Sequence, residues 1–368
     1  MWRLSENKEW QLLEQKFDWV RDMNGVRQDA IHHEEGDVAI HTQMVLSSLE
    51  QIVHYRQLPE QKQQILWASA LLHDIEKRST TVLEEDGSVT SKGHAKKGAL
   101  TARTILYRDV PTPFLIREQI CSLVRFHGLP LWALEKADPA KAVIEASLQL
   151  DTTLLATLAR ADVLGRKCKD KEDLLYRIDL FQALCEENAC WGRPRYFSTP
   201  QAKFHYFHKD VHYPDFVPFD ELGSHVVLMS GLPGAGKDTY VKKHYKDWPV
   251  INLDDIRKLH KISPTDSRGN GRVIQTAKEN ARVYLRAQKK FVWNATNITR
   301  QMRDQLIDLF STYKAFVEIV YVEVNYSKLH VQNNSREAML PRIAVEKLIT
   351  KLEVPCQSEA QKVSYHFR

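Results

Sequence analysis

The chain has 368 residues, with 52 basic and 47 acidic side chains and a formal net charge of +5. That length points to two domains, and the mild positive charge fits an anionic substrate without separating a nucleotide from a nucleic acid. No apolar run approaches the ~18 residues of a membrane span, the start Met1-Trp2-Arg3-Leu4-Ser5-Glu6 has no signal-like apolar core, and the five cysteines form no Cys-x-x-Cys pair. The expectation is a cytoplasmic protein with free thiols and no membrane partner.

Residues 1–195 read as one helix after another, for instance over 42–53, 61–75 and 154–164, with a turn around Asp86-Gly87. His73-Asp74 falls in the apolar stretch Trp67 to Ile75, where neighbouring helical positions about 100° apart can lean into one groove. A neutral imidazole beside a carboxylate suits a divalent transition metal, and a buried carboxylate requires a partner. His41, at a helix start, precedes the pair; His94, His127 and Asp162 follow it. Each of these histidines taken singly reads better as a capping or surface residue.

The ordered set His, His-Asp, His, His, Asp resembles the HD phosphohydrolase superfamily over roughly residues 25–170. The stretch Gln28-Asp29-Ala30-Ile31-His32-His33-Glu34-Glu35-Gly36-Asp37-Val38, with Arg-Ala-Asp-Val-Leu-Gly-Arg at 160–166, is most similar to HD domains attached to tRNA nucleotidyltransferases. The resemblance implies His41, His73, Asp74 and Asp162 around a principal metal, with Asp74 catalytic. It implies His94 and His127 at a second ion or at phosphate, and Lys77 and His33 on the substrate phosphate. Glu76 stands where the family usually has Gly. The implied chemistry is hydrolysis of a phosphomonoester or cyclic phosphodiester with Mn, Ni, Co or Mg, the ion polarising a phosphate oxygen and acidifying a bound water.

Residues 196–223 are rich in Pro, His and aromatic side chains and read as a connector or a packed arm. From 224 to 368 strands and helices alternate, with strands at 225–230, near 250–253, at 291–293 and at 316–324. Alternation with crossover helices implies a parallel sheet covered on both faces. The fold class is therefore multidomain, an all-α domain followed by an α/β domain.

Gly231-Leu232-Pro233-Gly234-Ala235-Gly236-Lys237-Asp238-Thr239, between an apolar strand and a helix, is a phosphate-binding loop. Its glycines let backbone N–H groups converge on phosphate oxygens, and Lys237 reaches the terminal phosphates. Gly231, Gly234, Ala235, Gly236, Lys237, Asp238 and Thr239 are the expected ATP (or other NTP) contacts, with Mg²⁺ as the expected ion. Asp238 occupies the position where most such loops carry Ser or Thr, and a carboxylate is a competent ligand for a hard ion. Further on, Asp254 lies just past a strand end, where it suits proton acceptance from an attacking hydroxyl or an acidic helix cap equally. Arg257, three residues later, suits a bidentate phosphate clamp.

Asp254-Asp255-Ile256-Arg257 after this loop resembles the polynucleotide 5′-hydroxyl kinases, and the likeness continues through Trp293-Asn294-Ala295-Thr296-Asn297 and a segment near 328–356 similar to their lid. It implies Asp254 as general base, with Arg257 and Arg303 on the acceptor phosphate. It also implies Arg336 on the ATP phosphates with Arg342 beside it, although both arginines also read as solvated helix charge. Asn294 stands where related chains often have Asp, which leaves the ion to Asp238 or to Asp254 and Asp255.

The order of HD domain then kinase resembles the bacterial HD-Pnk family of end-healing enzymes. The resemblance implies a 5′-OH kinase and a 2′,3′-phosphatase or cyclic phosphodiesterase. Its partners would be RNA or DNA 5′ and 3′ ends, an NTP, and a ligase in the same pathway. Two alternatives stay open at this level: a small-molecule nucleoside or sugar kinase fused to a nucleotide phosphohydrolase, and an ATP-sensing regulatory module.

Overall fold

In the computed structural model the chain is described at residues 1–29, 33–211, 213–219, 221–263, 266–335 and 339–367. It divides into two compact units, Met1–Tyr196 and Phe197–Arg368.

The first unit is helical. Helix Val38–Gln51 begins at Asp37, whose carboxylate accepts from the Ile40 amide, and helix Thr152–Leu164 begins at Asp151, which accepts from the Thr153 amide. Each cap satisfies a backbone donor that the first turn would otherwise leave open. Helix Glu60–Leu72 buries every residue from Ile65 to Leu72. The expected helix across His73-Asp74 is corrected, because the helix ends at Leu72 and the chain tightens into three-residue turns, Ile75 N to Leu72 O and Lys77 N to Asp74 O. A short antiparallel ribbon pairs Val82–Leu83 with Val89–Thr90 around the Asp86-Gly87 turn. Helices Thr152–Leu164 and Val38–Gln51 meet closely at Gly165. A Cβ there would stand 2.7 Å from the Val45 amide nitrogen, so only glycine fits this crossing.

The second unit is built on a five-stranded parallel sheet. Its strands are β1 (His225–Ser230), β2 (Val250–Asn252), β3 (Phe291–Asn294), β4 (Phe316–Glu323) and β5 (Lys362–Phe367), in the order β2-β3-β1-β4-β5. Val226 to Met229 of β1 are fully buried, as expected for a strand covered on both faces. Phe291 and Trp293 of β3 pack edge-on against Phe310 of helix Arg300–Thr312. Each such ring contributes about 1.5–3 kcal/mol by leaving water. Helix Pro200–His208, within the stretch read as a connector, sets Phe204 into this same core.

Candidate functional site

In the first unit, helices and the turn after Leu72 bring together all eight of the expected residues, His33 by way of Glu35 and His41. His41 lies one turn into Val38–Gln51, His94 starts helix His94–Thr104, His127 follows helix Phe114–Phe126, and Asp162 lies in Thr152–Leu164. His73, His94 and His127 repeat one local device. Each Nδ1 donates to the carbonyl three residues earlier, Ala70, Ser91 and Val124, at 2.7, 2.7 and 2.8 Å. A carbonyl can only accept, so Nδ1 carries a proton in each ring and Nε2 faces the centre.

The Nε2 atoms converge on two carboxylates. His41 Nε2 lies 3.1 Å from Asp162 Oδ1 and 3.8 Å from Asp74 Oδ2, and His73 Nε2 lies 3.2 Å from Asp74 Oδ2. On the other side of Asp74, its Oδ1 is 3.3 Å from His94 Nε2 and 3.8 Å from His127 Nε2. Among the described residues the possible ligand atoms form three groups: His41 with His73 and Asp162, Asp74 with His94 and His127, and His33 with Glu35 and His41. His41 Nε2, His73 Nε2 and Asp74 Oδ1 are buried without a hydrogen bond from the described residues. Buried polar atoms in that state are costly, and a coordinated cation removes the cost. The donor set of imidazole and carboxylate therefore fits a divalent ion.

The electrostatics agree. Burial alone would raise the carboxyls of Asp74 and Asp162, but His73 and Lys77 around the first and Arg166 and His41 around the second outweigh it. Both acids stay ionised well below the usual range. Burial lowers His127 to about 3 and His33 to about 4, so both rings stay neutral near pH 7. Lys77 Nζ is held between Asp74 Oδ2 (2.8 Å) and Gln28 Oε1 (2.7 Å). Glu76 does not join the donor groups. Burial pushes its carboxyl up, but Ser79, Thr101 and Lys97 engage it and hold it below its ordinary value.

Two residues without a role in the sequence reading complete the centre. Arg166 donates to both oxygens of Asp162, at 3.0 and 2.6 Å. Glu35 Oε1 lies 2.7 Å from His33 Nδ1 and 2.9 Å from His41 Nδ1, and its Oε2 accepts from the Lys167 amide at 2.9 Å. The i,i+4 spacing of Asp162 and Arg166 on a helix was a readable signal for the first. Nothing local signals the second.

In the second unit a cleft of about 770 Å³ lies along the carboxyl ends of the strands, lined by Gly234 to Tyr240, Asp254, Arg257, Trp293 and Asn294 among others. Volumes of this order hold small-molecule ligands. Gly231, Gly234 and Gly236 adopt φ of +146°, +84° and +95°, and a Cβ on Gly231 would collide with the Val322 carbonyl. Lys237 Nζ lies over the loop, donating to the Gly231 and Leu232 carbonyls at 2.9 and 3.0 Å. Gly231 itself does not line the cleft but supplies that carbonyl.

Asp254 and Arg257 share the cleft and touch, with Arg257 Nη1 2.5 Å from Asp254 Oδ1. Asn270 accepts from Arg257 Nε at 2.8 Å. The helix cap is Asn252, which accepts from the Asp254 amide, so capping is not the task of the Asp254 side chain. Asp238 also lines the cleft, and Asn294 Nδ2 donates to its Oδ1 at 2.5 Å.

The remaining expectations divide. Arg303 is corrected: it is fully buried, paired with Glu359 at 2.6 and 2.9 Å and donating to the Asn297 and Glu353 carbonyls, so its guanidinium is spent inside the fold and cannot meet an acceptor. Arg342 is exposed at the start of helix Arg342–Ile349, its Nη2 3.5 Å from Tyr326 Oη, and is not among the cleft-lining residues. Arg336 lies outside the described residues.

Comparison with known proteins gives each half a class. Residues 38–167 match the family described as HD domain, and residues 226–355 match the family described as AAA domain. Among solved structures, a Chloroflexus aurantiacus chain described as a candidate kinase is 14% identical, with 40% of this chain and 87% of that one covered and a TM-score of 0.34. Chaetomium thermophilum Kti12, solved with ADP-AlF3, is 16% identical, with 39% and 88% covered and a TM-score of 0.30. Residues 38–167 are thus similar to HD domains and residues 226–355 to a P-loop AAA domain, one after the other in the chain. Among the described residues no helix is long and apolar enough to cross a membrane.

Proposed function

We propose that this chain heals broken nucleic-acid ends. Its second unit phosphorylates a 5′-hydroxyl with ATP or another NTP, and its first unit removes a 2′,3′-cyclic, 2′- or 3′-phosphate. The observation that carries the reading is the contact of Asp254 with Arg257 in the cleft that also holds the phosphate-binding loop. A base for a hydroxyl beside a clamp for a phosphate suits an acceptor bearing both groups close together, as a nucleotide with a free 5′-OH and a 3′-phosphate does.

In this reading the amides from Gly234 to Thr239 and Lys237 hold the β- and γ-phosphates, and Asp254 takes the proton of the attacking hydroxyl while Arg257 fixes the acceptor. Asp238 belongs to the magnesium site, and Arg336 and Arg342 serve the lid. In the first unit His41, His73, Asp74 and Asp162 hold one ion, and His94 and His127 with Asp74 hold a second ion or the phosphate. Lys77 and His33 contact the substrate phosphate. A divalent ion there supplies Lewis acidity at a phosphate oxygen.

The test uses a short RNA with a 5′-OH and a 2′,3′-cyclic phosphate, labelled ATP, and Mg²⁺ or Mn²⁺. Label transfer to the 5′ end is expected in wild type and His73→Ala and not in Asp254→Ala. Hydrolysis at the 3′ end is expected in wild type and Asp254→Ala and not in His73→Ala. Wild type that binds ATP but labels no 5′ end, with or without a 3′-phosphate on the acceptor, overturns the kinase half.

A further inference from the structure

Loops of this type ordinarily hold Mg²⁺ through a Ser or Thr after the lysine and an Asp at the end of a neighbouring strand. Here both positions are changed. The residue after Lys237 is Asp238, and the last residue of β3, the strand beside β1, is Asn294. The two side chains meet, with Asn294 Nδ2 donating to Asp238 Oδ1 at 2.5 Å. Asn294 is 4% exposed, whereas Asp238 is exposed along the cleft.

We propose that the magnesium site of this kinase-like unit is transposed: the charged ligand has moved from the strand to the loop helix, and Asn294 is the positioning residue that aims it. The usual arrangement sets one carboxylate against one neutral oxygen. The present arrangement, Asp against an amide, holds the same single negative charge within the same pair of positions. The amide donates to one carboxylate oxygen, and Oδ2 accepts no hydrogen bond from the described residues. The other carboxylates lining the cleft are engaged, Asp254 by Arg257 and Glu323 by the Tyr321 hydroxyl at 2.6 Å. A carboxylate oxygen is a suitable donor for a hard cation, and magnesium needs only one or two from the protein when phosphates supply the rest.

The transposition rests on the kinase reading of the cleft, and its test separates the two. Mn²⁺ is the probe ion, followed by electron paramagnetic resonance and read as the difference between titrations with and without a non-hydrolysable ATP analogue, which removes the ion bound by the first unit. Asp238→Asn keeps the shape and removes the charge, and Asp238→Ser restores the usual loop residue. Both are expected to weaken Mn²⁺ binding by about tenfold or more, with affinity for the metal-free analogue not reduced. The double variant Asp238→Ser with Asn294→Asp rebuilds the ordinary arrangement and is expected to bind Mn²⁺ within about threefold of wild type. Unchanged Mn²⁺ affinity in both single variants overturns the proposal, as does a double variant no better than Asp238→Ser. Phosphorylation of a 5′-OH acceptor is measured separately on wild type. A failed acceptor assay with the expected metal titrations removes the substrate assignment and leaves the transposed site standing.

Discussion

One oxygen of Glu35 serves two histidines: Oε1 lies 2.7 Å from His33 Nδ1 and 2.9 Å from His41 Nδ1. The two rings meet edge-on with centroids 4.7 Å apart, and the Glu35 side chain is fully buried between them. The backbone carbonyls that orient His73, His94 and His127 are neutral, so Glu35 is the charged member of that outer set. It sets a negative charge beside His41 Nδ1, while His41 Nε2 faces Asp162.

Glu35→Gln keeps the volume and removes the charge. Because outer carboxylates of this kind hold ligand orientation and basicity, ion affinity at the first unit is expected to fall about 10–100-fold while helical content is unchanged. Calorimetric titration of metal-stripped protein with Mn²⁺, alongside circular dichroism, checks this. An affinity equal to wild type would show that His41 is oriented without Glu35.

Arg303 and Arg257 were both expected on an acceptor phosphate, and they separate by burial. Arg303→Met leaves Glu359 buried without its partner and is expected to cost about 3–5 kcal/mol in chemical unfolding. Pairing it with Glu359→Leu is expected to recover most of that loss, because two apolar side chains leave no unpaired charge. Arg257→Met, at a partly exposed pair, is expected to change stability by no more than about 1 kcal/mol and to raise the KM for a 3′-phosphorylated acceptor. Unfolding curves and acceptor titrations on the two single variants discriminate: a stable Arg303→Met with weakened acceptor binding would reverse the assignment.

Glu318 on β4 carries an acid-sensitive contribution to the second unit. Burial pushes its carboxyl up, but His225, Lys362 and Ser364 outweigh it and lower it from an ordinary 4.5 to about 2. A depressed acid stabilises the fold fully above its unfolded value and loses that contribution as pH falls through the folded value. Wild type is therefore expected to lose stability between pH 4.5 and about 2 more steeply than Glu318→Gln. The difference between the two, read from denaturant midpoints at several pH values, should close across that window. A constant difference would remove Glu318 as the source.

The sequence carried the local features of this structure well. The phosphate-binding loop needs consecutive residues with glycine at defined places, and β1, β3 and β4 are apolar runs, so all were readable. Strand β5 was not, since Lys362-Val363-Ser364-Tyr365-His366-Phe367 mixes polar and apolar residues at a sheet edge, where one side stays open. The ordered histidines and aspartates of the first unit do converge, because each sits near a helix end. What failed was non-local. Glu35 is fixed by Lys167, 132 positions away, and Arg303 by Glu359, 56 positions away. Neither partner leaves a mark on the spacing around the residue it holds.

The strand order has a consequence for how the cleft tolerates change. The phosphate-binding loop hangs from β1, which has a neighbour on both sides, whereas Asp254 and Arg257 follow β2, a three-residue strand at the edge of the sheet. Within the sheet, a substitution that shifts β2 reaches one neighbouring strand, β3, while one that shifts β1 reaches both halves. The half of the cleft that carries the glycine-rich loop is thereby constrained by the whole sheet. The half that carries Asp254 and Arg257 follows an edge strand, where insertions and loop exchanges cost least.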